Sequence, residues 1–179
     1  MASTVTMPLI ENGVGVHFPD ANFFQFEGCR AYNSLKGLGV KEMDVAWLDA
    51  PNAALWFVEL KAFYDTANPK HQATDLITDT NKVEEFKNEF INKAKHTLAM
   101  LFCNRAGTQT CIVPDSLNAK EINLVFLVKI KPGQDLELNI LQNEVQRFLQ
   151  PYKAIYKLSK ILLVSADNGT AKALMPWIL

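Results

Sequence analysis

Three charged residues interrupt two apolar runs in the first third of the chain. Met43-Asp44-Val45-Ala46-Trp47-Leu48-Asp49 is followed by the turn residues Ala50-Pro51-Asn52-Ala53, and then by Ala54-Leu55-Trp56-Phe57-Val58-Glu59-Leu60-Lys61-Ala62-Phe63. Both runs are rich in aliphatic and aromatic residues and bounded by turn chemistry, so they predict paired strands of a hairpin. Burying an isolated ion is costly, so Asp44, Glu59 and Lys61 each need a partner, solvent or a ligand. Glu59 and Lys61 are two apart, which places both side chains on one face of a strand. Pairing around Pro51-Asn52 brings Asp44 toward the same face. Two carboxylates beside an ammonium suit a hard cation, with the lysine placed to orient or deprotonate a water. The structural alternative is a charge pair on a solvated edge, with Asp44 as a strand-start charge or a partner for Lys61.

The flanking elements must hold these residues. Pro8, Gly13, Gly15 and Pro19 make residues 1–19 an irregular entry with one short strand around 14–18. Asp20 is suited to cap a helix over 21–35, ended by Gly37 and Gly39, although Gly28 weakens it by about 1 kcal/mol relative to Ala. After Phe63, residues 64–79 predict a polar, substrate-facing loop whose Lys70-His71 pair would form part of a local basic patch. Thr80 caps a helix from 81 to about 104, with Val83, Phe86, Phe90, Ala94, Thr97, Leu98 and Leu101 forming the core stripe. A short strand is expected at 109–113. Residues 121–130 are nearly continuous in apolar residues and predict a central strand. A second amphipathic helix runs over 136–149 to a stop at Pro151, a short helical turn occupies 152–158, and a buried strand follows at 160–166. The tail 175–179 is apolar enough to dock on the body. The order helix, strand, strand, helix, strand, helix, strand implies an α/β sandwich around a mixed sheet.

At 179 residues the chain predicts a single domain, 1–179, with one sizeable core. A net charge of −1 weighs against a nucleic-acid-coating surface, which would be basic, while leaving room for a local basic patch. Cys29, Cys103 and Cys111 are odd in number and lack close metal-ligand spacing, so reduced thiols in a cytoplasmic setting are expected. The N-terminus lacks signal-peptide character, and no apolar run of about twenty residues predicts a membrane span.

Asp44 on one strand and Glu59-Leu60-Lys61 on the next, set between two helices, resemble the PD-(D/E)xK nuclease superfamily over roughly residues 20–166. Met43 stands where the family's signature proline is often replaced, and the fourteen intervening residues are ordinary for the family. The resemblance implies a restriction-endonuclease-like three-layer α/β/α sandwich with a central mixed β-sheet and an αβββαβ-like core order. It further implies an endonuclease or exonuclease that hydrolyses phosphodiester bonds with Mg²⁺ or Mn²⁺. Asp44 would bridge metal, Glu59 and the Leu60 carbonyl would complete the protein's ligands, and Lys61 would activate or orient the water. Glu27 would add the acidic residue that many members supply from the preceding helix. The implied partner is nucleic acid, DNA ahead of RNA, with no membrane and with a homodimer or a partner subunit expected.

Other residues have simpler readings. Lys93 and His96 match a position from which the superfamily contacts substrate phosphate, but a solvated helix face accounts for both. His17 reads as a loop histidine, with a metal-ligand role as the alternative. Phe23, Phe24, Trp47, Trp56 and Phe57 read as core before base-stacking platforms. The competing function is a catalytically inactive nuclease-fold protein serving as a nucleic-acid-binding or assembly module.

Overall fold

The computed structural model describes residues 8–11, 13–63, 80–102 and 111–179. The polar loop 64–79, with Lys70 and His71, lies outside the described residues, as does Cys103.

The predicted hairpin forms strands β4 (Val45–Asp49) and β5 (Ala54–Ala62), antiparallel with Val45 opposite Val58 and Trp47 opposite Trp56. The turn between them is closed by the Asp49 carboxylate, which accepts from the Asn52 side chain at 2.7 Å. A short strand β3 (Phe23–Phe24) adds antiparallel to β4, while β6 (Glu121–Lys129) and β7 (Leu158–Ser165) add in parallel beyond β5. The sheet is therefore mixed, in the order β3-β4-β5-β6-β7. Helix α2 (Thr80–Phe102) precedes β6, and α3 (Asp135–Tyr156) makes the crossover from β6 to β7. Parallel neighbours need such long connections, because a tight turn cannot reverse the chain twice.

Alternation along β5 divides the core. Leu55 and Phe57 join Leu124, Phe126, Ile161 and Leu163 beneath Phe90, Ala94 and Leu98 of α2 and Leu141, Val145 and Leu149 of α3. Tyr32 of α1 (Arg30–Lys36) completes that side. Trp56, Val58, Leu60, Val125 and Leu127 point the other way. There they meet Val14 and Val16 of the hairpin β1–β2 (Leu9–Glu11, Val14–Val16), Ala171 of α4 (Gly169–Leu174), and the tail residues Met175, Trp177 and Ile178. Burial on both faces explains why β5 and β6 read as nearly unbroken apolar runs. The second outer layer combines a hairpin, one short helix and the tail. As expected, that tail docks: His17 N–H donates to the Trp177 carbonyl at 2.7 Å, and Leu179 N–H donates to the Gly15 carbonyl at 3.1 Å.

Several local expectations are corrected. Residues 21–35 do not form one helix, because Phe23 and Phe24 pair with Trp47 and Ala46 as an edge strand. Asp20 serves that strand, accepting from Trp47 Nε1 and from Asn22 N–H at 2.9 Å each. A 3₁₀ turn (Phe26–Gly28) follows, and α1 begins only at Arg30. Pro151 does not stop α3, which continues to Tyr156. Proline removes one backbone donor, and packing compensates: Tyr152 and Tyr156 lie against the core, and Tyr156 stacks on Phe102 with ring centres 4.9 Å apart. The described part of the strand expected at 109–113, residues 111–113, is not a strand. Among the described residues the core order is α1-β4-β5-α2-β6-α3-β7, with β4 and β5 between the first two helices. The sulfurs of Cys29 and Cys111 are joined as a disulfide, with Cα atoms 5.2 Å apart. Sequence spacing could not reveal this, because 82 positions separate the two residues. These two cysteines are therefore not the reduced thiols expected, and they give no support to a cytoplasmic setting.

Candidate functional site

The β4–β5 register brings the carboxylates together. Val45 faces Val58, so one step further places Asp44 across from Glu59. Asp44 Oδ2 accepts the Leu60 backbone N–H at 2.6 Å, which fixes the carboxylate against the neighbouring strand. Glu59 belongs to the face of β5 that carries Leu55 and Phe57, toward α2, and is only 1% exposed. Lys61 alternates onto that face as well.

Helix α2 supplies the partners. Lys93 Nζ donates to Glu59 Oε1 at 2.6 Å and to Asp44 Oδ1 at 3.3 Å, so its ammonium bridges the two carboxylates. One helical turn earlier, Glu89 accepts from Lys61 Nζ at 3.2 and 3.3 Å. Glu89 and Lys93 are four apart on the helix, and Glu59 and Lys61 are two apart on the strand. Helical and strand spacings thus juxtapose opposite charges in two crossed pairs. The same helix anchors the approach to β4. Lys41 N–H donates to His96 Nδ1 at 3.0 Å, and the buried Met43 N–H donates to Thr97 Oγ1 at 2.8 Å. Lys93, His96 and Thr97 therefore hold residues 41–44 in place, and Lys93 and His96 do not form the solvated face expected of them.

The electrostatics follow from burial. Desolvation, reinforced by the Asp44 charge, raises Glu59 to about 8 against the pull of Lys93. Burial likewise raises Asp44, opposed by Lys93 and by the Leu60 N–H. Burial would lower Lys93, but the charges of Glu59 and Asp44 outweigh it and hold the ammonium above its ordinary range. Two carboxylates thus share one ammonium and carry one excess negative charge. Either a proton on Glu59 or an added cation relieves it. Two further carboxyl groups are drawn into this field. Burial lifts Glu42 to about 7, with Glu27 and Asp44 adding to the rise, and burial together with Asp44 raises Glu11.

The expected site residues separate into two groups. Asp44, Glu59 and Leu60 converge, and Lys61 lies beside them with Glu89 as its partner. Glu27 sits on the 3₁₀ turn, largely exposed, and its carboxylate pairs with Lys36 at 2.9 Å. His17 lines a cavity of about 370 Å³ with Trp47, Trp56 and Trp177, on the opposite face of the sheet. Phe24, Trp47, Trp56 and Phe57 are core residues, and Phe23 packs against the core. Glu11, Glu42 and Glu89 were not singled out in the sequence. The signal for Glu89 was its i, i+4 spacing to Lys93, and Glu11 and Glu42 carried none.

Whether a metal fits can be judged from the donors. Among the described residues, no three His, Cys, Asp or Glu side chains converge as a ready-made cage. Mg²⁺ does not require one, since it retains waters and takes one or two carboxylates. Glu59 Oε2 is buried without a hydrogen-bond partner. Such an atom is expensive to desolvate and is satisfied by a cation. The pair Asp44–Glu59 therefore fits a hard divalent ion. No family model, curated protein or solved structure matches this chain.

Proposed function

We propose that this chain is a metal-dependent nuclease of the PD-(D/E)xK type, hydrolysing phosphodiester bonds in nucleic acid, with DNA ahead of RNA. The observation that carries the reading is the pair of strand-opposed carboxylates, Asp44 partly buried and Glu59 fully buried with its Oε2 unpartnered. The order of α1, β4, β5, α2 and β6 around a mixed sheet supports the restriction-endonuclease-like arrangement. Asp44, Glu59 and the Leu60 carbonyl would hold Mg²⁺ or Mn²⁺. Such an ion lowers the pKa of a bound water and offsets charge developing on phosphorus. Asp44 is oriented for this by the Leu60 N–H. Lys61, held by Glu89 on the same face, would orient the attacking water and meet the negative charge that forms. Glu27 would join the cluster only after leaving Lys36.

The test combines calorimetry with a cleavage assay. Mn²⁺ binding that disappears in Asp44→Asn and Glu59→Gln, together with metal-dependent cleavage of single-stranded, duplex or branched DNA or of RNA, is the expected outcome. Cleavage that survives both substitutions unchanged places the chemistry elsewhere.

A second reading has its own observation. The crossed pairs Glu59–Lys93 and Lys61–Glu89 give each of these charges an internal partner, as in a structural seam. On that reading the chain is an inactive nuclease-fold binding or assembly module, and Mn²⁺ produces no heat that depends on Asp44 and Glu59.

A further inference from the structure

We propose that Lys93 is a resident counter-ion which a divalent cation must displace, so that its ammonium leaves the Asp44–Glu59 pair as metal binds. The inference rests on the metal-site reading above. It concerns how the site is kept when no metal is bound.

The ammonium already stands where a cation would. It lies 2.6 Å from Glu59 Oε1 and 3.3 Å from Asp44 Oδ1, so it uses oxygens from both expected ligands. Mg²⁺ takes such oxygens at about 2.0–2.1 Å in near-octahedral geometry, which sets it within a few ångströms of an ammonium held by the same oxygens. Charge balance points the same way. With both carboxylates ionised, Lys93 leaves one negative charge, a divalent ion in its place leaves none, and the lysine and the ion together would leave the pair positive in a buried place. Repulsion between like charges at this range is strong wherever water is excluded. The unpartnered Glu59 Oε2 shows that the lysine satisfies the pair incompletely, although an ammonium has three donors.

Lys93 is also free to depart. Its side chain is 17% exposed, which leaves a route to solvent, and a flexible four-carbon stem can carry the charge outward without moving α2. Lys61 differs, because its partner is Glu89 and not an expected metal ligand. Metal arrival therefore releases one lysine and leaves the other seated. The resting site is partly neutralised by its own lysine and holds metal weakly for a two-carboxylate centre.

The experiment titrates the full chain with Mn²⁺ by calorimetry, comparing the unsubstituted protein with Lys93→Met and Lys93→Gln. Both variants are expected to bind at least about tenfold more tightly, because no competing cation has to leave. Equal or weaker binding in a folded variant overturns the displacement while leaving the metal site intact. If no form binds Mn²⁺, the metal-site reading fails and takes this inference with it. A second measurement needs no substitution. Reductive methylation followed by peptide mass spectrometry should find Lys93 slow to react without metal and several-fold faster with saturating Mn²⁺, with Lys61 little changed. If Mn²⁺ protects Lys93 or leaves its rate unaltered, the ammonium stays in place and the proposal is wrong.

Discussion

Replacing Glu59 by glutamine removes a charge from the most buried part of the site while keeping its shape, and the consequence is readable in stability against pH. In the folded chain Glu59 is held at about 8, against an ordinary value of 4.5. A carboxyl group whose folded pKa is raised binds its proton more tightly when folded. Its contribution is therefore fully present below 4.5 and is lost as pH rises through about 8. Each pH unit in that window is worth at most about 1.4 kcal/mol, so the ceiling is about 5 kcal/mol. The pull of the Lys93 ammonium is already contained in the value of about 8, so a loss of several kcal/mol, at most about 5, is expected as pH rises from 4.5 through about 8. Urea unfolding at a series of pH values, for the unsubstituted chain and for Glu59→Gln, isolates the contribution as a difference curve. That difference should move in favour of the variant as pH rises, and saturating Mn²⁺ should reverse the trend for the unsubstituted chain only. Parallel curves across the window would refute the reasoning, since they would mean that Glu59 ionises in the folded state as it does in water.

Thr97→Val deprives the buried Met43 N–H of its acceptor. It should cost about 1–3 kcal/mol in urea unfolding and speed hydrogen exchange at Met43. Lys61→Ala removes a half-buried ion pair with Glu89. It should change stability by less than about 1 kcal/mol while lowering metal-dependent kcat by at least about a hundredfold. Equal losses of stability and activity would mean that Lys61 is structural. The Cys29–Cys111 disulfide predicts that thiol titration in denaturant without reductant finds one reactive cysteine, Cys103, among the three in the chain. A count of three would show that the pair is reduced.

Much of the framework was legible in residue order. Apolar runs bounded by Pro51-Asn52 identify β4 and β5, period-two alternation puts Glu59 and Lys61 on one face, and the stripe from Val83 to Leu101 identifies α2. These are local properties, set by neighbours a few positions away. The edge strand at Phe23–Phe24 was not legible, because its partners Trp47 and Ala46 lie more than twenty positions further along and outweigh local helix signals. Pro151 misled for a related reason, since contacts made by Tyr152 and Tyr156 sustain a helix that local chemistry would end.

The site divides along the same line. Sequence by itself determined that Asp44 stands at the start of one strand and Glu59 and Lys61 on the next, and that all three need company. The tertiary structure decided who supplies it. A 3.6-residue period says which face of α2 is apolar, but not which strand that face covers or how far the helix is slid along it. Only the packing of Phe90, Ala94 and Leu98 onto the sheet sets that register. With it set, Lys93 lies over Asp44 and Glu59, Glu89 lies over Lys61, and Glu27 is left at Lys36.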